Sequence, residues 1–181
     1  MEPIEVAGYL LGQRTKQLTA SYVRHDDRSG RQTGRIVWTD RGLWLVEQDD
    51  DYVMISGPEA SEIRVGRGRW QRGPSIPLSL PDNPAAFLRP RHLPIWGRPQ
   101  HDWRLAGPVT VERRTATLRL IHADDPDADG QLTADLDLCI VLELRLPGTR
   151  TTLTEVDYAI SPEQQRLLAR AEPTPQTEPL R

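Results

Sequence analysis

The sequence predicts a mainly β protein whose strands follow one another as an antiparallel meander. The clearest sign lies in residues 132–146, where apolar residues occupy every even position and polar residues fill most odd ones. This period of two is typical of a strand with one buried face and one exposed face. Similar short runs alternate with turn residues through residues 17–65. The 16 prolines and 13 glycines also fit a turn-rich β chain.

Composition limits the classes of partner. Against 26 acidic residues stand 23 basic ones, so the formal net charge is −3, and we expect neither nucleic acid nor an anionic membrane as a partner. No apolar run reaches the length of a signal peptide or a membrane span, so the sequence predicts a cytoplasmic protein. We expect residues 1–172 to form a single β domain and residues 173–181, which are nearly devoid of apolar side chains, to be a disordered tail.

The single cysteine, Cys139, excludes an intrachain disulfide and a thiolate metal cluster. It lies inside the apolar run, where we expect a small buried hydrophobic side chain within a strand.

The first half of the chain reads as a short amphipathic helix followed by strands. The pattern predicts the helix over residues 6–13 and a polar loop over residues 25–34. Strands are predicted over residues 17–24, 35–39, 43–48, 52–56 and 62–65. Turns are expected at residues 40–42, where Gly42 supplies a positive φ, and at residues 49–51 and 57–58.

The middle of the chain differs because residues 73–108 carry eight prolines, a density that excludes a regular strand ladder. Within it, Asn83 followed by Pro84 predicts a capped helix of one or two turns that ends before Pro90. Strands resume over residues 103–105, 109–111 and 115–122, and residues 124–130 form an acidic loop. Ser161 and Gln164 form a capping-box pattern, which predicts a C-terminal helix to about Ala171.

The run of residues 132–146 continues through a turn at Pro147-Gly148 into a β-branched strand over residues 149–156. Residues 84–99, which we name the lid, lie in the proline-rich segment. The lid either covers a binding surface or simply plugs the end of the sheet.

The order of elements resembles a known superfamily. The opening LLGQRTKQLTASYVRHD is followed by two hairpins, GRIVWTDRGLWLVEQ and YVMISGPEASEIRVGRGRW. A proline-rich loop, the pair around GPVTVERRTATLRL and a closing hairpin DLDLCIVLELRLPGTRTTLTEVDY complete it. This layout, over residues 6–160, is similar to the LolA/LolB-like lipoprotein carriers, which include RseB-type sensors and actinobacterial relatives.

The resemblance implies a curved antiparallel half-barrel. Helices from the first segment and the proline-rich loop would cover its concave side, and the cavity would hold acyl chains or a segment of a lipidated partner. The family's closing hairpin often turns through Asp and Gly, and here Pro147-Gly148 keeps only the Gly. The sequence shows neither a leader nor a lipidated N-terminal cysteine, so carriage of lipoproteins across a periplasm is not implied.

Large apolar side chains are the candidate ligand-binding residues. Aromatic side chains either line a cavity for an apolar or planar ligand or fill the core beneath a curved sheet. The predicted set is Trp38, Trp44, Trp70, Phe87, Leu88, Trp96, Trp103, Ile140 and Leu142.

Metal and catalytic alternatives rest on weaker patterns. Asp125, Asp127 and Asp129 match the start of a calcium loop, but Leu136 stands at the twelfth position, where a bidentate Glu is needed. His92, His101 and His122 match no zinc spacing. The basic cluster Arg64, Arg67, Arg69 and Arg72 is interpreted as a solvated strand end.

No recognised catalytic motif is present, and we expect no metal and no cofactor. The leading hypothesis is a non-enzymatic module that binds an apolar ligand, such as a lipid or acyl chain, or a partner segment on the concave face. The alternatives are a cytosolic interaction or regulatory protein with a self-filled core, and a small cavity-based cyclase or isomerase.

Overall fold

One continuous antiparallel sheet of eleven strands organises the protein. The computed structural model describes residues 2–12, 17–49, 51–79 and 83–172. The strands are β1 Leu18–Asp26, β2 Gly30–Trp38, β3 Trp44–Gln48, β4 Tyr52–Ser56, β5 Ala60–Val65, β6 Gln71–Pro74, β7 Trp103–Glu112, β8 Thr115–His122, β9 Asp129–Asp135, β10 Ile140–Leu146 and β11 Thr149–Asp157. The α-helices are α1 Pro3–Gly12 and α2 Pro162–Leu168, and short 3-10 helices span Pro84–Leu88, Pro90–His92 and Ala169–Ala171.

Two meanders joined side by side make up the sheet, in the order β6-β5-β4-β3-β2-β1-β11-β10-β9-β8-β7. Pairing of β1 with β11 joins the meanders, with Tyr22 opposite Leu153. The sheet does not close, because β6 and β7 lie at opposite edges. The 3-10 helix Pro84–Leu88 contacts β2, β3 and β10, and α1 contacts β7. Strands this far apart in a sheet reach the same cover only if the sheet curves around it, so the predicted curved, mainly β fold is confirmed.

Each face of the sheet carries a hydrophobic core. Neighbours such as Ile36 and Val37 in β2 point to opposite faces and are both fully buried. The larger cluster, which we name the concave core, lies between the sheet, α1 and the lid. The second core lies between the outer face of β2–β4 and the C-terminal helices, where Val37, Leu45 and Ile55 meet Leu168. The outer face therefore has a covered half on β2–β5 and an uncovered half on the remaining strands.

The two predicted capped helices are confirmed. Asn83 Oδ1 accepts a hydrogen bond from Ala85 N at 3.1 Å, and Pro84 begins the helix. At the C-terminus, Ser161 Oγ accepts from Gln164 N at 3.2 Å while Gln164 Oε1 accepts from Ser161 N at 3.1 Å. This reciprocal box starts α2, and the last 3-10 turn ends at Ala171.

Residues 132–146 do not form the single strand that their alternation predicts. They fold into β9 and β10, joined by a turn at residues 136–139. Asp135 Oδ1 accepts from Asp137 N at 2.9 Å and from Leu138 N at 3.0 Å, so its carboxylate competes with the ladder for backbone donors. The alternation hides this turn because Leu136 and Leu138 still pack against the concave core.

Cys139 is accordingly in a turn rather than in a strand, with φ of 54°. Its predicted burial is confirmed, since 6% of the residue is exposed. The Sγ–H donates to the Leu136 carbonyl oxygen at 3.2 Å, and burial raises the pKa of the thiol.

The polar stretch at residues 25–34 was predicted as a loop but is a hairpin, with β1 and β2 joined by a turn at residues 27–29. Asp26 Oδ1 accepts from Arg28 N at 2.8 Å and from Ser29 N at 2.9 Å, and these bonds lower the pKa of Asp26 to about 2. Polar residues suit this tip because little of it packs against a core.

Two edge strands were also mispredicted. The predicted breaks around Gly107-Pro108 are a bulge within the single strand β7, with Gly107 at φ 70°. An edge position tolerates a proline because one side of the strand needs no ladder partner. β6 was not predicted at all, since Gly and Pro dominate its end.

Some predictions fall outside the described residues. These are the last helical position Gln13, the turn residue Asp50, Pro81 in the proline-rich segment and the tail at residues 173–181.

Gly34 tests the close packing of the β1–β2–β3 meander. A methyl group there would overlap the Glu47 carbonyl oxygen and lie 2.8 Å from the Tyr22 ring. We expect Gly34→Ala to lower the free energy of unfolding by about 2 kcal/mol or more. Gly8→Ala is the matched control, because a methyl group there meets nothing within 4 Å and an interior helical Ala gains up to about 1 kcal/mol. Chemical denaturation measures the free energy of unfolding of both variants. Equal stability of Gly34→Ala and Gly8→Ala would contradict the β1–β2–β3 register.

Candidate functional site

The lid crosses the concave face as a segment folded on itself. After the helix Pro84–Leu88, the Arg89 N–H donates to Ala86 O, and Pro90 opens the next 3-10 turn. Trp96 closes the segment, since its Nε1–H donates to Pro90 O at 2.7 Å and its backbone N–H donates to His101 Nδ1 at 3.0 Å. The prolines fix the backbone angles of these turns and so stiffen the lid.

The lid closes the concave face in this structure. Every residue of Pro84–Leu88 is buried, and Leu88 and Ile95 are fully inaccessible to solvent. The 3-10 helix Pro84–Leu88 contacts β2, β3 and β10 across the core. A guest on this surface would therefore have to displace the lid side chains.

Most of the predicted ligand-binding residues meet in this core. Trp38, Trp44, Phe87, Leu88 and Ile140 are buried within it. Trp96, Trp103 and Leu142 are partly buried and pack against it.

Trp70 alone among the predicted set lies elsewhere, against the second core. Two guanidinium groups lie over its ring, with Arg64 Cζ 4.9 Å and Arg170 Cζ 4.3 Å from the ring centroid. Arg170 Nε also donates to the buried Glu62 carboxylate at 2.6 Å. Trp70 thus helps to hold the C-terminal turn against β5 and does not border the lid.

Polar groups buried beside the lid were not predicted. The Arg89 guanidinium, in a residue that is 9% exposed, stacks with its Cζ 4.8 Å from the Trp38 ring centroid. In the part of the chain that the structure describes, no acceptor lies within hydrogen-bond distance of Trp38 Nε1 or Asn83 Nδ2. Both residues are more than nine-tenths buried. Buried donors without acceptors are uncommon and costly, so they mark a place suited to an acceptor.

A sequence signal for this feature exists in retrospect. Arg89 is the one charged residue between Asn83 and Arg91. A single charged residue within a short apolar stretch indicates a side chain that is at least partly buried.

The three histidines serve separate local roles. His101 Nδ1 accepts from Trp96 as described, and His122 Nδ1 accepts from Asp124 N at 3.2 Å while its ring packs edge-on to Trp103. His92 lies in the lid. Burial, followed by the charges of Arg91, Arg89 and Arg98, lowers its pKa to about 4.

Two of the three candidate calcium ligands, Asp125 and Asp129, contact protein groups through their carboxylates. Asp125 Oδ1 accepts from Asp127 N at 3.2 Å, and Asp129 pairs with Arg119 at 3.4 Å. Across residues 2–12, 17–49, 51–79 and 83–172, no three side chains of His, Cys, Asp or Glu converge as a metal site.

The basic cluster near residue 67 divides between two environments. Arg64 stacks on Trp70, and Arg72 pairs with Glu62 at 3.7 Å. Arg67 and Arg69 are exposed.

An open cleft lies on the uncovered half of the outer face, and we name it the outer cleft. Its volume is about 850 Å³. Strands β1 and β7–β11 and the turn at Pro147-Gly148 line it, with Arg119, Arg145, Arg150 and His25 among the lining residues. None of the predicted ligand-binding residues borders it. Sequence periodicity could not reveal it, because its side chains come from separate strands brought together by register.

The described helices are short: α1 has 10 residues and α2 has 7. None of them is long and apolar enough to span a bilayer.

Comparison with known proteins identifies similar folds. No protein-family model matches the sequence, and no curated protein sequence matches it. An uncharacterized conserved protein from Thermus thermophilus superposes with a TM-score of 0.57 at 11% identity, covering 96% of this chain and 94% of that one.

Two weaker structural likenesses carry informative names. MucB matches with a TM-score of 0.43 at 17% identity over 91% of this chain, which spans 61% of the MucB chain. The LolA superfamily protein NE2245 from Nitrosomonas europaea matches with a TM-score of 0.37 at 8% identity, covering 91% and 96% of the two chains. The chain shares its fold with the Thermus protein over nearly its whole length.

Proposed function

We propose that the protein is a non-enzymatic binding module that holds the apolar chain of a lipid or small molecule on its concave face, beneath the lid. The observation that carries this proposal is how the lid is attached. In the described part of the chain, the backbone hydrogen bonds of residues 84–96 are local, and the lid's backbone bond to a strand is that of Gly97 N to Trp103 O at 3.2 Å. Between these points the lid contacts the sheet through side chains, so it can lift without breaking the strand ladder.

Apolar contact of this kind can be exchanged for a ligand. Phe87 and Leu88 cover the strands that an acyl chain would contact, and both types of contact stabilise by removing similar apolar area from water. The partly buried Trp96, Trp103 and Leu142 border the same core. The apolar area that a guest buries therefore offsets the apolar area that the lifted lid exposes, and lifting the lid lowers the net affinity of the guest.

The buried polar groups favour an amphiphile over a pure hydrocarbon. Among the residues that the structure describes, Trp38 Nε1–H and Asn83 Nδ2–H have no acceptor, and Arg89 places a positive charge on the Trp38 ring. A carboxylate or phosphate headgroup would supply acceptor oxygens to these donors, beside the positively charged Arg89 guanidinium. The ligand class proposed is an anionic amphiphile such as a fatty acid.

A second candidate function is a protein-interaction module whose core is filled by its own side chains. The complete burial of Leu88 and Ile95 favours it, because these two lid side chains already occupy the space that a guest would need. The cytoplasmic location and the single-domain interpretation of residues 1–172 stay predictions under either function.

Binding of laurate tests the first candidate. We expect isothermal titration calorimetry to show saturable binding, and Trp38→Phe, which keeps an aromatic ring but removes the donor, to weaken it about tenfold. Trp70→Phe is the control, because Trp70 packs in the second core. The Trp70→Phe variant should bind laurate with the affinity of the wild type. Native mass spectrometry of the purified protein shows whether a lipid co-purifies. Absence of laurate binding up to about 1 mM, with a tightly held polypeptide instead, would favour the self-filled interaction module.

The pH dependence of stability tests the packing of the lid around His92. Its pKa of about 4 in the folded protein lies below the ordinary 6.5, so between these values the unfolded chain binds a proton that the folded protein excludes. The contribution of neutral His92 to the free energy of unfolding is fully present above about pH 6.5 and is lost as the pH falls toward 4. We expect the melting midpoint to decrease from pH 7 to pH 5, and His92→Gln to flatten this slope.

Measurements above pH 5 exclude the effect of Asp26, since its lowered pKa changes the free energy of unfolding only below about pH 4. The pKa of His101 is also lowered, by burial first and then by Arg98, so a residual slope is expected in the variant. An unchanged slope in His92→Gln would show that the lid does not enclose this imidazole.

A further inference from the structure

We propose that the outer cleft is a docking site for an extended acidic peptide segment of a partner protein. The site lies on the opposite face of the sheet from the lid, so it is independent of the function proposed above. Its basis is a row of side chains that the strand register places side by side.

The row follows from residue pairing, since directly opposite residues in antiparallel strands point to the same face. Arg119 pairs with Gln131, and Gln131 pairs with Arg145. Arg145 pairs with Arg150, and Arg150 pairs with His25, which pairs in turn with Arg31. The row thus crosses β8, β9, β10, β11, β1 and β2. All of its members but Arg31 line the outer cleft, and Arg31 lines a neighbouring cavity of about 320 Å³.

The row is unfavourable for the sheet alone. Arg145 stands directly opposite Arg150, and like charges in this position destabilise a strand pair. Arg150 is relieved by Glu143 at 2.8 Å, and Arg119 by Asp129 at 3.4 Å. For Arg145 and Arg31, no ion pair forms with any residue that the structure describes. Positive charge held at a cost to stability indicates a use in recognition.

The dimensions fit a peptide. Six strands span about 24 Å at the usual strand spacing, which an extended chain of about seven residues covers. Thr110 and Thr117 line the cleft, where their hydroxyls can bond to a peptide backbone, and Pro108 offers apolar contact. The occupant should therefore alternate acidic side chains with small or apolar ones.

Other polyanions fit less well. The cleft also contains the carboxylates of Asp27 and Asp129, which would repel closely spaced phosphates. No Trp, Tyr or Phe lies among its lining residues to stack on nucleic-acid bases. A peptide can place its acids away from these carboxylates, whereas a phosphate backbone cannot.

The test is fluorescence anisotropy with a labelled peptide of about eight residues that alternates glutamate and alanine. We expect saturable binding at low salt that weakens as salt is added, and Arg145→Gln to weaken it about tenfold. Arg113→Gln removes the same charge at the β7–β8 turn, away from the row, and should bind as the wild type does. The melting midpoint of Arg145→Gln should be equal to or above that of the wild type, because a like-charge contact is removed.

Equal affinity of the wild type and Arg145→Gln, or no binding at low salt, would overturn the proposal. So would Arg145-dependent binding of single-stranded oligothymidylate, or of vesicles with phosphatidylserine, at least as tight as that of the peptide. Laurate binding is measured on the same variants. Arg145 lies on the face opposite the lid, so the affinity for laurate should be unchanged in Arg145→Gln. Failure of the peptide site is therefore distinguishable from failure of the laurate site.

Discussion

The pairing of β1 with β11 is the contact on which the rest of the molecule depends. It joins two meanders that are each local in sequence, and it places Tyr22 opposite Leu153 across most of the chain length. Without it, the concave core would lose the continuity between its β2–β3 wall and its β8–β10 wall. The outer face depends on it equally, since the Arg150–His25 pair belongs to this junction. Closing so long a loop costs more chain entropy than closing the short loops within each meander.

Local patterns revealed those parts of the fold whose signals are local. Asn83 with Pro84, and Ser161 with Gln164, predicted both capped helices because a cap needs only residues within one turn. The fold class followed from alternation and turns, and the family resemblance implied the curvature that the structure shows. The turn at residues 136–139 was not predicted, because its leucines follow the alternating pattern of a strand although the backbone turns there. The hairpin at residues 25–34 was predicted as a loop, because its polar composition is also typical of a loop.

The candidate sites show the same division. Aromatic and aliphatic residues expected to gather on one face do gather there, with Trp70 on the other face as the exception. The burial of Arg89 and of the Asn83 side chain could not be inferred from periodicity, since it is set by the lid's packing against distant strands. The row of the outer cleft is invisible in sequence, because its members are spread from His25 to Arg150 and only the strand register brings them together. Non-local geometry therefore carries most of what bears on function.

The bulge at Gly107-Pro108 has a consequence for the state of the protein in concentrated solution. An open sheet presents two unpaired edges, which invite other chains to add strands and grow into aggregates. Here one edge ends in the four-residue β6, which stops at Pro74, and the other, β7, is interrupted by its bulge and lacks the amide hydrogen of Pro108. Such edges resist templated growth, so the sheet can remain unclosed without polymerising. An unclosed sheet keeps the freedom to widen or narrow its trough, which a sealed barrel gives up.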